Sequence, residues 1–363
     1  MSSLSPPRPS KFEIQALGPL SPELRELLNT TGPWPDPPFT DTSQCRSISD
    51  FADGLLLKAL GPTPATLEEI TLSIPVSSSY SSHTTLTRPS AQSQKPPGPL
   101  IVLFHPGGFF LGSPLKLTPY ARGLASLFSA TVVCPSYRVA PEHPFPTGID
   151  DAWTCMQWAA TNAAALGADP SSRGFIVGGV SSGANFAAVL ARRAVVEELR
   201  PQVTGIWAPL SIGLAADTVP GAYAELWTSR EQNRDALVID QAKARTMFEH
   251  YRPDFASPLF NPLASGFDLA KMPRAFVQVA GADLFRDDGL VYAYALQGAG
   301  VEVRLETYPG VPHSFWVFAP ALEVSRKCVR DIVEGFAWLL RVETEGLGEG
   351  WEGVMRAPEV KLE

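Results

Sequence analysis

The stretch Gly174-Phe175-Ile176-Val177-Gly178-Gly179-Val180-Ser181-Ser182-Gly183-Ala184-Asn185-Phe186-Ala187-Ala188 decides how the rest of the chain is read. It opens with a short apolar run, 174–177, of the kind expected of a strand buried on both faces. It closes in an Ala-rich segment with the character of a helix. Between them lies Gly179-Val180-Ser181-Ser182-Gly183, a serine flanked by glycines two residues away on each side. A glycine-flanked serine is common in loops, so the five residues alone are a weak signal. A strand before and a helix after make the signal much stronger, because a sharp strand-to-helix turn lifts the serine hydroxyl above the sheet. The glycines are needed where the two sides of so tight a turn pack together. The N-terminus of the following helix offers free N–H groups to developing negative charge.

Working outward, further apolar runs fall at 100–104, 131–134, 203–207, 275–279 and 301–306, and residues 69–76 alternate like a strand. Helical segments at 119–128, 148–165, 183–199, 288–299 and 319–341 lie between most of them. This alternation implies a mostly parallel central sheet with helices on both faces. Residues 211–271 are too long for a plain connection and read as an inserted helical cap. Upstream, a helix is expected over 21–29, with Ser21 as its cap, Pro22 at the first helical position and Glu23 in the first turn. A second is expected over 51–60, stopping at Gly61-Pro62. The polar stretch 77–98 is expected to hold an edge strand and a surface loop. The chain thus divides into an N-terminal helical part of the cap (1–65), a core (66–341) carrying the cap insertion, and a C-terminal tail (342–363). That tail holds six Glu against Arg356 and Lys361 and is expected to be solvated.

Composition removes several classes. The 363 residues carry 37 acidic and 29 basic side chains, a formal charge of −8, which offers no footprint for nucleic acid or an anionic membrane. Hydrophobic residues make up 45% and charged residues 18%, enough apolar material for a core. The segment MSSLSPPRPSKFE has no apolar run of signal-peptide type, and no stretch of about 18 apolar residues occurs, so neither leader nor membrane anchor is expected. Cys45, Cys134, Cys155 and Cys328 are widely spaced and form no metal-ligand pattern. They read as reduced, mostly buried thiols, which suits the cytoplasm. Neither a metal nor an organic cofactor is implied.

For a serine on such a turn, the chain order of a catalytic triad is Ser, acid, His. Of the five histidines, His83, His105 and His143 precede Ser181. His250 sits in the charged helical piece Phe248-Glu249-His250-Tyr251-Arg252 and reads as a solvated surface side chain. His313, in Gly310-Val311-Pro312-His313-Ser314-Phe315, follows the last strand, where a general base can meet the serine. Asp283 is the first acid after the run 275–279, placed to hydrogen-bond the histidine and fix its tautomer. Asp287 and Asp288 open the next helix, where the dipole favours anions. His105-Pro106-Gly107-Gly108-Phe109-Phe110 follows the run 100–104. Backbone N–H groups of this loop, with that of Ser182, are expected to form an oxyanion hole. Phe109, Phe110, Val180 and Trp316 flank these positions and are the expected substrate neighbours.

From residue 100 to the last helix, and more weakly before it, the sequence resembles the hormone-sensitive-lipase-like branch of the α/β-hydrolases, which includes carboxylesterases and arylacetamide deacetylases. The resemblance rests on four blocks. These are His105 to Phe110, Tyr137-Arg138-Val139-Ala140-Pro141-Glu142-His143-Pro144-Phe145-Pro146, Gly179 to Gly183, and Gly281 to Gly289 with His313. It implies an α/β-hydrolase fold with a helical cap built from the N-terminal helices and the insertion. It also implies a structural role for residues 137–146 and for Asp150 and Asp151, so Glu142, His143 and Asp151 are not assigned to catalysis. Two residues depart from the family pattern. Pro106 replaces the first glycine of His-Gly-Gly-Gly, but the donors match Gly107 and Gly108, and proline only removes an N–H that is not used. Val180 precedes the serine where Asp or Thr is usual, and Ser182-Gly183-Ala184 follow it.

The chemistry these residues suit is cleavage of small or medium apolar carboxylic esters through an acyl-enzyme. A dedicated biosynthetic hydrolase, deacetylase, lactonase, acyl transferase or cyclase would use the same triad. A non-catalytic receptor of this family lacks the histidine, and His313 argues against it. The expected partner is a small-molecule ester, the expected state a monomer or homodimer. Trp34, Phe39, Phe51, Tyr223, Trp227, Phe248 and Tyr251 either line an apolar pocket under the cap or simply pack it.

Overall fold

The computed structural model describes residues 8–34, 37–211 and 213–343; residues 344–363, most of the expected acidic tail, lie outside them. Eight strands form one sheet: β1 (Leu67–Ser77), β2 (Tyr80–Pro89), β3 (Leu100–Phe104), β4 (Thr131–Cys134), β5 (Phe175–Gly179), β6 (Gly205–Pro209), β7 (Arg274–Ala280) and β8 (Val303–Tyr308). Their spatial order is β1-β2-β4-β3-β5-β6-β7-β8. From β4 to β8 every pairing is parallel, and only β1–β2 and β2–β4 are antiparallel. After β3 the chain steps to β4 on one side, then returns to β5 on the other. The carboxyl ends of β3 and β5 therefore flank a topological switch point, where open α/β sheets bind their ligands.

The continuous apolar runs behave as the burial of parallel strands requires. Every residue of β3, β4, β5 and β6 is buried. Alternation along β3 sends Leu100, Val102 and Phe104 to one apolar layer and Ile101 and Leu103 to the other. The first layer is closed by the helices Thr147–Thr161, Ser182–Val196 and Arg286–Gly298, the second by Thr118–Phe128 and Glu323–Leu340. Each fully buried Leu, Val or Phe side chain contributes about 1.5–3 kcal/mol of transfer free energy. All four cysteines are free and buried.

Several boundaries differ from expectation. The helix at the N-terminus runs Pro22–Thr31, with the Ser21 hydroxyl accepting from the Leu24 N–H at 3.2 Å. The next starts earlier than its apolar stripe suggested, at Thr42, because Asp41 caps it by accepting from Gln44 N–H. A short helix, Lys11–Gln15, carries a Ser10/Glu13 capping box that the reading passed over. The strand within the polar stretch is internal rather than at the edge; β1 takes the edge. Two of its buried hydroxyls are paired, since Ser82 Oγ donates to Ser136 O at 2.7 Å and lies 3.0 Å from Thr84 Oγ1. The last helix is preceded by a separate short turn of helix, Phe315–Phe318. Between β6 and β7 the chain runs from 210 to 273 through the helices Ser229–Gln232 and Gln241–Tyr251, packed over the carboxyl ends of the strands. Among the described residues no helix is long and apolar enough to cross a membrane.

Candidate active site

Ser181 sits on the turn between β5 and the helix Ser182–Val196 with φ 58° and ψ −118°, a conformation that costs a non-glycine residue about 1–3 kcal/mol. The surroundings enforce it. Ser181 N–H donates to Pro209 O at 3.1 Å, tying the turn to β6. A Cβ on Gly183 would lie 2.0 Å from Phe104 O, and one on Gly179 would lie 2.5 Å from Gly183 C. The helix start is thus pressed onto the end of β3 as closely as a backbone allows, which is why both positions are glycine.

Three side chains from three strand ends meet at this turn. Ser181 Oγ lies 2.8 Å from His313 Nε2, and His313 Nδ1 lies 2.7 Å from Asp283 Oδ2. The carboxylate accepts at Nδ1, so Nδ1 carries the proton and Nε2 is free to accept from the serine hydroxyl. The other oxygen of Asp283 accepts the Phe285 N–H at 2.9 Å. Ser181, Asp283 and His313 are 4%, 1% and 3% exposed, so the relay is shielded from water. The loop carrying His313 is clamped from outside the core. Gly310 N–H donates to Leu17 O at 2.8 Å, and Gly310 O accepts from Ser21 N–H at 2.9 Å.

The loop after β3 borders the serine. Gly107 and Gly108 adopt φ 144° and 58°, and a Cβ on Gly107 would lie 1.8 Å from Leu111 O. Among the described residues the N–H groups of Gly107, Gly108 and Ser182 donate to no acceptor. They are free to receive an anionic oxygen. Tyr137 Oη donates to His105 O at 2.7 Å, and Ala140 N–H donates to Phe109 O at 3.0 Å. Arg46 donates to Phe110 O and Ala140 O and pairs with Glu142 at 2.7 Å. That pairing holds the Glu142 carboxyl at about 2, below its ordinary range. Asp151 accepts from the backbone and guanidinium of Arg138. The segment 137–151 is therefore a buttress behind the loop that follows β3. His105 itself is stacked face to face on Tyr137 at 4.1 Å, and burial lowers its imidazole to about 4.

The four expected substrate neighbours are all buried in packing. Phe109 stacks on Tyr251 at 4.2 Å, and Phe110 contacts Phe39 and His250. Val180 and Trp316 belong to the second apolar layer, where Trp316 Nε1 donates to Tyr120 Oη at 2.7 Å. The aromatic side chains expected around the cap are mostly packed as well. Trp34 stacks on Phe318, Tyr223 Oη donates to Tyr294 O, and Phe248 meets Phe255, Phe260 and Phe285 edge-on. Phe51 is 65% exposed.

Two expectations need correction. His250 is not a solvated side chain; it is half-buried, with Nε2 3.0 Å from Phe39 O, and so joins the insertion to the N-terminal segment. Asp287 and Asp288 do open the helix Arg286–Gly298, as expected, but their carboxylates are not spent on capping it. Asp287 Oδ2 accepts the N–H groups of Thr228 and Ser229, while Asp288 accepts from Gly213, Leu214, Trp227 Nε1 and Arg230. Both carboxylates are buried and anchor the insertion to the core. The partners lie some sixty residues away in sequence, so nothing local announced them.

A family profile described as alpha/beta hydrolase fold matches residues 101–317. An AB hydrolase superfamily protein of Schizosaccharomyces pombe is 36% identical over 241 residues, which is 66% of this chain and 71% of that protein. Carboxylesterase NlhH of Mycobacterium tuberculosis is 38% identical over 227 residues, 61% of this chain and 67% of its own. Among solved structures, that of vibralactone cyclase superposes with a TM-score of 0.82 at 27% identity, over 90% of this chain and 96% of the other.

Proposed function

This chain belongs to the alpha/beta hydrolase fold family, and on that premise we propose that Ser181, His313 and Asp283 are the nucleophile, general base and orienting acid of its ester-hydrolysing chemistry. Its similarity to a carboxylesterase makes it an ester hydrolase of carboxylesterase type. The observation that carries the residue assignment is the unbroken relay, 2.8 Å from Ser181 Oγ to His313 Nε2 and 2.7 Å from Nδ1 to Asp283.

The steps follow from that geometry. His313 Nε2 takes the Ser181 proton as Oγ attacks the ester carbonyl. The resulting oxyanion accepts hydrogen bonds from the N–H groups of Gly107, Gly108 and Ser182, each such donor contributing about 10²–10³ in kcat. Asp283 stabilises the imidazolium, which then gives its proton to the departing alcohol. A water molecule, deprotonated by the same nitrogen, releases the acid from Ser181. Phe109, Phe110, Val180 and Trp316, which flank the serine and the glycine loop, are proposed as the neighbours of the substrate. The substrate is a small or medium apolar ester, and the four unpaired thiols favour a reducing, cytoplasmic setting. The N-terminal part, 1–65, and the insertion, about 211–271, are read as the cap that selects it.

A single-turnover assay with p-nitrophenyl esters of increasing chain length tests this. Wild-type protein gives a burst of p-nitrophenol stoichiometric with enzyme, and Ser181→Ala gives none. A burst that persists in Ser181→Ala would overturn the assignment.

A second reading is favoured by the match to a cyclase over 90% of the chain. With the triad almost wholly buried, an internal hydroxyl of the substrate would take the place of water and close a ring. Turnover in heavy-oxygen water separates the two: label in the carboxylate product means hydrolysis, and an unlabelled cyclic product means ring closure.

A further inference from the structure

We propose that Asn233, on the insertion between β6 and β7, is a positioning residue for the Asp283 carboxylate, so that the triad is complete only while the insertion is seated. The proposal rests on the assignment of Asp283 as the triad acid.

The acid loop, residues 281–284, leaves the end of β7 and turns into the helix Arg286–Gly298. On the sheet side its N–H groups are used: Gly281 donates to Tyr308 O and Ala282 to Val311 O. On the other side its carbonyls face the insertion. Asn233, 8% exposed, donates both N–H bonds of its side-chain amide to this loop, at 2.7 Å to Asp283 O and 3.1 Å to Gly281 O. Leu284 O accepts from Ser229 Oγ at 2.9 Å and from Arg230. The core also reaches these carbonyls, but at longer range: Arg286 N–H to Asp283 O at 3.2 Å and the Arg286 side chain to Gly281 O at 3.4 Å. Asn233 therefore grips the backbone on both sides of the peptide bonds that aim the Asp283 side chain.

The side chain has to be a primary amide. Two N–H groups on one nitrogen are needed to span two carbonyls two residues apart, and no other side chain of this size supplies them without a charge. Its own position is fixed by the turn that ends the helix Ser229–Gln232, where Asn233 N–H donates to Ser229 O at 2.8 Å. The neighbouring Gln232 accepts from Arg286 Nη1 at 2.8 Å and donates to Gln15 O at 2.6 Å, so the N-terminal segment leans on the same strut.

The expected effect is kinetic. A displacement of about 1 Å in a catalytic group costs on the order of 10²-fold in rate. Asn233→Ala is expected to lower kcat by about 10–100-fold with KM for a short ester changed by less than about twofold. A loosened carboxylate stabilises the imidazolium less, so the acidic limb of kcat/KM against pH moves to lower pH. The test is a double-mutant cycle with Asp283→Asn, read as kcat, KM and the pH profile. If Asn233 acts through Asp283, adding Asn233→Ala to Asp283→Asn changes kcat by less than about twofold. A wild-type rate and pH limb in Asn233→Ala would overturn the proposal. So would an equal loss in both backgrounds, which would mean that Asn233 serves only the fold. Full activity in Asp283→Asn would instead sink the acid assignment, and this proposal with it. Should Asn233→Ala not fold, Asn233→Leu fills the same volume with neither donor nor charge, and the same cycle decides.

Discussion

His105 ties stability to pH in a way that the structure lets one work out. The side chain is 1% exposed, stacked on Tyr137, with Nδ1 3.0 Å from Pro106 O. That carbonyl can only accept, so the folded protein holds the neutral imidazole with its proton on Nδ1. Burial is the main reason its imidazole falls to about 4 from the ordinary 6.5, with Lys116 adding to it. The folded pKa is below the unfolded one, so between these values the unfolded chain binds more protons and stability rises with pH. The contribution is intact above about pH 6.5 and is progressively lost as pH falls toward 4. Taking pH 7 to pH 5, the linkage relation gives a loss of about 2 kcal/mol from this one group. With an unfolding entropy of about 2 cal/mol/K per residue over a chain of this length, the loss is worth ~2 °C in Tm. The assay is differential scanning at pH 7 and pH 5 for wild type and His105→Asn, whose amide can donate to the same carbonyl but does not titrate. The fall in Tm between the two pH values is expected to be about 2 °C smaller in the variant. An equal or larger fall would refute the reasoning.

Two further substitutions probe the scaffold. Gly183→Ala puts a methyl group 2.0 Å from Phe104 O, where neither strand nor helix can yield, so labelling of Ser181 by a serine-directed phosphonate is expected to slow by at least about 10²-fold. Labelling at the wild-type rate would show that the turn tolerates a side chain. Asp288→Ala leaves Arg230 and the N–H groups of Gly213, Leu214 and Trp227 without their buried acceptor, a loss expected at about 3–5 kcal/mol. Urea denaturation measures it, and a change below ~1 kcal/mol would mean that the carboxylate does not anchor the insertion.

The chain made its sheet legible because parallel strands must be apolar on both faces, and runs such as Leu100 to Phe104 have no other use. The candidate triad was legible for a different reason: chain order eliminated every histidine but two, and only one followed the last strand. What stayed hidden depends on partners distant in sequence. Asp287 and Asp288 look like any acidic pair at a helix start; only the fold brings Thr228, Ser229 and Arg230 against them. His250 reads as solvated until Phe39 O is beside it. Asn233 carries no signal at all, since an amide after a short polar helix is an ordinary stop. The polar strand Tyr80–Pro89 was assigned to the edge because a segment so polar looked out of place inside, whereas Ser136 pairs with the hydroxyls of Tyr80 and Ser82. Aromatic residues were ambiguous for a simpler reason: a ring that lines a pocket and a ring that fills one have the same composition.

The burial of all four cysteines makes this protein a convenient object for optical measurement. Alkylating reagents attack the thiolate, and burial pushes the Cys155 thiol up to about 11 and raises those of Cys45, Cys134 and Cys328 as well. At neutral pH a maleimide dye finds almost nothing to react with. One cysteine introduced at Phe12, which is 80% exposed beside the N-terminal strut, and another on the outer face of the core would take up a donor and an acceptor fluorophore cleanly. The distance between them would follow the N-terminal segment molecule by molecule, in the native background and during turnover.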